Sequence, residues 1–263
     1  MSMIDTHAIV LKSSDSGESS RRLTFFSGEE GRFSLTARGV KSKSGRAHAS
    51  LEPYVIARVS ANLKPEADLG TLGRAEVVER FARLREDLTR LAAAGVMCEA
   101  VDRGAHPRLA NPRLYEYATA FLRTLDAEDA DKVVFLLGHG LMRVAQALGI
   151  PPGVTACPAC GGRPGDARLD LTVGGLVCVA CAAGGGGPGI ALRPGAAALM
   201  RACAVRPWSQ IRVATDDGPE TKALVQALTR WLSHQLEWEF RSARFLWSIG
   251  GSAACSETGE KSA

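Results

Sequence analysis

From residue 4 to residue 80 the chain alternates apolar and polar positions in short runs. These are His7–Ser13 (HAIVLKS), Arg22–Ser27 (RLTFFS), Arg32–Val40 (RFSLTARGV), Tyr54–Leu63 (YVIARVSANL) and Leu69–Val78 (LGTLGRAEVV). Turn-rich breaks such as SDSGES and SGEEG separate them, so the pattern predicts five short strands. Five strands in so few residues suggest a small barrel of the OB-fold scale, whose sheet face and loops commonly bind oligonucleotides. At Phe81 the period lengthens. Phe81, Leu84, Leu88, Leu91, Val96 and Val101 recur at helical steps, and one helix is predicted from Phe81 to Gly104, stopped by His106-Pro107. A second helix is predicted from Pro112 behind a capping Asn111, and a third from about Ala127 to Leu148, closed by Gly149 and Pro151-Pro152. Helices are expected again at Pro194–Val205 and from Pro219, where Leu224, Leu228, Trp231 and Leu232 form an apolar stripe.

The resulting fold class is α+β and multidomain. A five-stranded barrel over residues 1–80 precedes a helical domain in two parts, 81–153 and 184–249, with a cysteine module inserted at 154–183 and a disordered tail over 250–263. The low-complexity run Ala182–Gly189 (AAGGGGPG) is expected to be a flexible link back to the helices.

Composition adds little to this picture until charge and cysteine are placed on it. A 46% hydrophobic and 23% charged chain of 263 residues belongs with folded globular proteins. Asp5 and His7 interrupt the apolar stretch of Met1–Leu11, so no leader pattern is read there, and Val133–Leu148 is too short and polar to span a bilayer. A cytoplasmic protein without a membrane role is expected. Net charge is only +4, but between Arg32 and Lys64 seven basic residues face the single acid Glu52. Such a window attracts polyanions.

Four of the seven cysteines fall in one cluster, Cys157-x2-Cys160 and Cys178-x2-Cys181, with 17 residues between the pairs. That is the spacing of a four-cysteine zinc site. Four thiolates complete a tetrahedral shell and leave no position for a reactive water, so Zn²⁺ here is expected to be structural. A redox dithiol and a vestigial site are the alternatives. Cys98, Cys203 and Cys255 lack metal spacing, and the first two are read as packed small hydrophobes.

No catalytic pattern accompanies the cluster. The chain has no phosphate loop, His-Glu-x-x-His or Gly-x-Ser-x-Gly, and its five histidines lie scattered. The segment Ala37–His48 (ARGVKSKSGRAH) reads either as a solvated loop or as a phosphate-binding one. The candidate DNA contacts are Arg21, Arg22, Arg32, Arg38, Lys41, Lys43, Arg46 and Lys64. Phe25, Phe26, Phe33 and Tyr54 are either barrel core or a face on which bases stack.

The order of motifs resembles the bacterial DNA repair and recombination mediator family RecO. The resemblance rests on Gly17-Glu18, the turn Ser27–Gly31 (SGEEG), the basic loop Ala37–Ser44, Leu51–Tyr54 (LEPY), the four-cysteine clip and LSHQLEWEFRSARFL near the end. SSRRLTFF is more basic than the family's usual aliphatic version, and the glycine run after Cys181 is looser. The resemblance implies an N-terminal OB-fold that binds single- and double-stranded DNA, annealing of complementary strands, and no bond-breaking chemistry. It also implies partnership with RecR, contact with the C-terminal tail of single-stranded-DNA-binding protein, indirect help in loading RecA, and a nucleoid location. A zinc-ribbon transcription or RNA-binding factor is the rival reading. A zinc hydrolase would need an open metal position.

Overall fold

The computed structural model describes residues 3–16, 20–38, 51–64, 69–184, 187–211 and 218–249. The Gly17-Glu18 pair, most of the basic loop, and the tail with Cys255 lie outside the described residues.

Strands β1 (Met3–Asp15), β2 (Arg21–Ser27), β3 (Gly31–Ala37), β4 (Ile56–Asn62) and β5 (Leu69–Glu79) close into a barrel in the order β1-β2-β3-β5-β4. Every pairing is antiparallel except β3 with β5, which is the order of an OB-fold. Alternation decides what fills it. Ile4, Ala8, Val10, Leu23, Phe25, Phe33, Leu35 and Val59 point inward and form one buried cluster. Phe25 and Phe33 stack inside it with ring centroids 5.5 Å apart. Strand β3 ends at Ala37, three residues before the expected Val40.

On the opposite side of the same strands, Ile9, Leu11, Phe26 and Ile56 turn outward and are nonetheless buried, because they belong to the core of the helical body. That body comprises α1 (Ala82–Glu86), α2 (Leu88–Gly104), α3 (Pro112–Ala127), α4 (Val133–Ala147), α6 (Pro194–Val205), α7 (Pro219–Gln235) and α8 (Arg241–Ile249). The helix expected from Phe81 to Gly104 is therefore two. Asp87 is extended and its carboxylate accepts from the Arg90 amide at 2.8 Å, which makes it the N-cap of α2 and ends α1. The third helix begins later than expected. Asp129 is extended, a single 3₁₀ turn spans Ala130–Lys132, and regular α4 starts at Val133.

Polar contacts lock the barrel to this body. Asp102 of α2, buried at the junction, pairs with Lys12 of β1 at 2.8 Å and lies 3.6 Å from Arg32 of β3. Arg123 of α3 grips Glu79 through two nitrogens, at 2.6 and 2.8 Å. The connector between α2 and α3 presses so closely on the β2–β3 turn that a Cβ on Gly31 would sit 2.2 Å from the Leu109 carbonyl oxygen. Gly31 also has φ +65°, so glycine is required there twice over.

The cysteine module is a three-stranded antiparallel sheet, β7-β6-β8, from β6 (Ala167–Asp170), β7 (Gly175–Cys178) and β8 (Gly189–Leu192), with the one-turn helix α5 (Val179–Ala182) after β7. Strand β8 follows directly on the glycine run that was expected to be a plain link. Leu169, Leu171, Leu176 and Leu192 belong to the same buried cluster as the helices, so the module is anchored in the body. No helix among the described residues is long and apolar enough to cross a membrane.

The outward apolar patch of the barrel makes a measurable claim. Phe26→Ala is expected to lower stability in chemical denaturation by about 3–5 kcal/mol. Phe245→Ala, whose ring is 45% exposed on α8, should cost less than about 1 kcal/mol. Equal losses would mean that the barrel does not depend on the body for burial.

Candidate nucleic-acid interface and thiol cluster

The outer face of β2 and β3 is set by register. Arg22 lies opposite Thr36, Thr24 opposite Ser34, and Phe26 opposite Arg32. Phe26 is covered by Tyr115 of α3, at a centroid distance of 6.2 Å, so the rest of the face is small hydroxyls with an arginine at each end. The Thr24 and Ser34 hydroxyls are 3.3 Å apart.

The sequence-predicted contacts fall in four places. Arg22, Arg38 and Lys64 are exposed on or beside the barrel. Arg21 is half-buried and lies 3.5 Å from Asp15. Arg32 is not a free surface cation. Its Nε donates to the Ala105 carbonyl oxygen at 3.2 Å and its Nη1 faces Asp102, so it ties β3 to the helical body. Lys41, Lys43 and Arg46 lie outside the described residues. The aromatic stacking face does not form. Phe25, Phe26 and Phe33 are buried, and Tyr54 is wedged against the helical core, where burial pushes its phenol up to about 12.

The four cysteines come together. Their sulfurs all lie within 4.8 Å of one another, and Cys160 and Cys178 are 3.8 Å apart. A tetrahedron with metal–sulfur bonds of about 2.3 Å has edges of about 3.8 Å, so the donor set fits a soft divalent cation. Local backbone builds each half. The Cys157 amide donates to the Gly162 carbonyl oxygen and the Gly161 amide to the Cys157 carbonyl oxygen, both at 2.8 Å, in a turn that Gly161 closes with φ +72°. Cys178 ends β7 and Cys181 rides on α5. Behind them, Gly153 and Gly175 bring two backbones so close that a Cβ on Gly175 would lie 2.6 Å from the Gly153 carbonyl oxygen.

The cluster's thiols sit in unequal electrostatic environments. The Cys178 amide, with those of Cys160 and Ala159, pulls the Cys157 thiol down to about 6 against the effect of burial. Hydrogen bonding with Cys178 and Cys160, and the charge of Cys157, push Cys181 up to about 12. Outside the cluster, burial raises the Cys98 and Cys203 thiols.

One feature of the body carried no sequence signal. Helices α3 and α4 and the segment after α6 enclose a cavity of about 360 Å³, floored by Phe121, Leu136, Gly140 and Trp208. Arg143 stands at its edge and donates to the Gln146 side chain at 2.9 Å, the Arg206 carbonyl oxygen at 2.6 Å and the His139 ring at 3.4 Å, with no carboxylate partner among the described residues. His139 beside it is held below its ordinary value by burial. Three chain segments meet here, which no local pattern could announce.

Comparison with known proteins follows this division of the chain. The family model described as Recombination protein O N terminal matches residues 1–81, and Recombination protein O C terminal matches residues 85–244. A DNA repair protein RecO of Anaeromyxobacter sp. (strain K) is 32% identical over 259 residues, covering 95% of this chain and 98% of that protein. The DNA repair protein RecO of Myxococcus xanthus is 29% identical over 255 residues, covering 95% and 99%. That of Bacillus subtilis is 29% identical over 174 residues, covering 66% of each.

Thiol chemistry should follow the two environments. In chelator-treated native protein at pH 7, iodoacetamide is expected to modify the exposed Cys160 and to spare Cys98 and Cys203 until denaturant is added, as read by peptide mass spectrometry. Modification of Cys98 at the rate of Cys160 would contradict the burial described.

Proposed function

The chain belongs to the Recombination protein O family of DNA repair proteins, and from that premise we propose that it binds single- and double-stranded DNA and anneals complementary strands. We place it in the cytoplasm at the nucleoid, acting with RecR to help RecA load onto DNA coated by single-stranded-DNA-binding protein. The observation that carries the reading is an OB-ordered barrel whose outer β2–β3 face carries small hydroxyls, with Arg22 exposed at one end and the basic segment beginning at Arg38 beyond that same end.

The mechanism is electrostatic. Each strand carries a charge at every phosphate, and two strands repel until cations stand between them. Arg21, Arg22, Arg38 and Lys64, with Lys41, Lys43 and Arg46 of the loop, supply those cations and release condensed counterions. Phosphate contacts position a strand without reading it, so bases stay free to pair. Arg32 helps chiefly by holding β3 against the body. No bond is broken, and no nucleotide hydrolysis is needed.

The acidic tail of single-stranded-DNA-binding protein is assigned to the cavity beside Arg143. An apolar side chain would fill the floor of Phe121, Leu136 and Trp208, and a carboxylate would meet a guanidinium that no described carboxylate neutralises. His139, neutral near pH 7, adds no charge there.

The metal is assigned as zinc, held by Cys157, Cys160, Cys178 and Cys181. Bound there it is a brace, since four thiolates leave no position for a reactive water.

Annealing of complementary oligonucleotides without ATP, bare or coated with the cognate single-stranded-DNA-binding protein, tests the reading across a salt series. Acceleration of both is expected, weakening as salt rises with a log-log slope of about −0.7 per phosphate neutralised. Arg143→Ala should slow annealing of coated strands and leave bare strands unaffected. No acceleration of bare strands by folded, metal-loaded protein would end the annealing assignment, and equal loss on both substrates would remove the tail from the cavity.

For the metal, Cys178→Ser is expected to lose zinc by elemental analysis. Its melting temperature should fall by about 5 °C or more, with DNA affinity changed less than about twofold. Unchanged zinc content would contradict the assignment.

A further inference from the structure

We propose that Arg108, contributed by the helical body, is a nucleic-acid-binding residue, forming with Arg22 and Arg32 a composite site for a backbone phosphate of single-stranded DNA. The inference rests on the DNA-binding reading above and moves part of the site off the barrel.

The geometry comes from an unfilled strand edge. Among the described residues, strand β5 pairs with β3 only from Ser34 to Thr36, which leaves the edge at Arg32 to another segment. The connector between α2 and α3 fills it. Pro107 forms a parallel bridge to Arg32, and the Arg108 amide donates to the Arg32 carbonyl oxygen at 3.0 Å. Between connector and barrel lies a cleft of about 320 Å³, lined by Arg22, Arg32, Arg108, Ser34 and Leu69. Three guanidinium groups thus line one opening that runs along the hydroxylated face.

Their charge is not balanced locally. Asp102 is shared among Lys12, Arg32 and Arg103, Glu30 pairs with Arg108 at 2.8 Å, and Arg22 has no carboxylate partner among the described residues. The Arg108 Nε is buried and meets no acceptor among them either. The Arg108 backbone also sits at φ +58°, a left-handed conformation that arginine rarely adopts. Such strain persists where surrounding structure enforces it, and here it fixes the direction of a charged side chain whose neighbours leave a donor unmet. A tetrahedral anion accepting from the solvent-facing nitrogens of these guanidinium groups would balance the charge.

The strain separates function from folding, because glycine tolerates φ +58° better than arginine. Fluorescence anisotropy of a labelled oligo(dT) without terminal phosphates, titrated with the full chain across a potassium chloride series, reads the site. Arg108→Gly is expected to weaken binding several-fold and to reduce the log-log salt slope by about 0.7, without lowering the melting temperature. Arg22→Gln should reduce the slope similarly, and decides the matter if Arg108→Gly unfolds. Arg230→Gln, an equal loss of charge at an exposed position of α7, should change neither. Arg108→Gly or Arg22→Gln matching Arg230→Gln in affinity and slope, while the unaltered protein binds, would overturn this site alone. An unaltered protein with no salt-dependent binding would overturn the DNA-binding reading and the site with it.

Discussion

The barrel has more apolar surface than its interior can hold. Its strands send one set of side chains inward, and the alternation that does so turns Ile9, Leu11, Phe26 and Ile56 outward on one side. These four are buried only because the helical body covers them. At about 25 cal/mol per Å² of apolar surface removed from water, one such patch outweighs any single ion pair at the junction. The remaining architecture follows from it. Helices α2 and α3 must lie against β1 and β2, which brings Asp102 within reach of Lys12 and Arg32 and carries the α2–α3 connector across the open edge of β3. The orientation of the β2–β3 face relative to the body is therefore set by hydrophobic burial, with polar contacts fixing its detail.

A similar logic governs the cysteine module. Its sheet is too small to hold a core, yet Leu169, Leu171, Leu176 and Leu192 join the core of the helices, and the Gly153–Gly175 approach ties the first strand pair to the incoming chain. What burial cannot do is hold two Cys-x-x-Cys turns facing each other, since their sulfurs repel once ionised. A metal held by the four cysteines would supply that local term. The parts divide accordingly, with cations on the barrel face, a cysteine module whose four sulfurs could hold a metal, and a pocket between α3 and α4 whose arginine meets no carboxylate among the described residues.

Much of this was legible in the sequence where the cause is local. Period-two runs broken by Gly and Ser marked all five strands, because a strand exposed to core on one face must alternate. Cysteine spacing announced the cluster, because a tetrahedral site constrains residues three apart. Proline and asparagine marked the start of α3. Local pattern failed where a long-range contact or a single cap decides. Asp87 splits the helix expected from Phe81 although the apolar period runs through it, because its side chain caps α2. Phe25 and Phe33 cannot be told from a stacking platform by composition, whereas barrel closure places them inside. Arg32 reads as one more basic residue until Asp102, seventy positions later, takes hold of it. Strand β8 was hidden behind glycines, and the pockets at Arg108 and Arg143 each need segments far apart in the chain.

The central claim is that barrel and body present one DNA-binding surface. Amide hydrogen exchange of the full chain, with and without single-stranded DNA, tests it most directly. Slowed exchange in both β2–β3 and the 105–111 connector is the predicted result. Protection confined to the helices away from that junction, or none at saturating DNA, would contradict it.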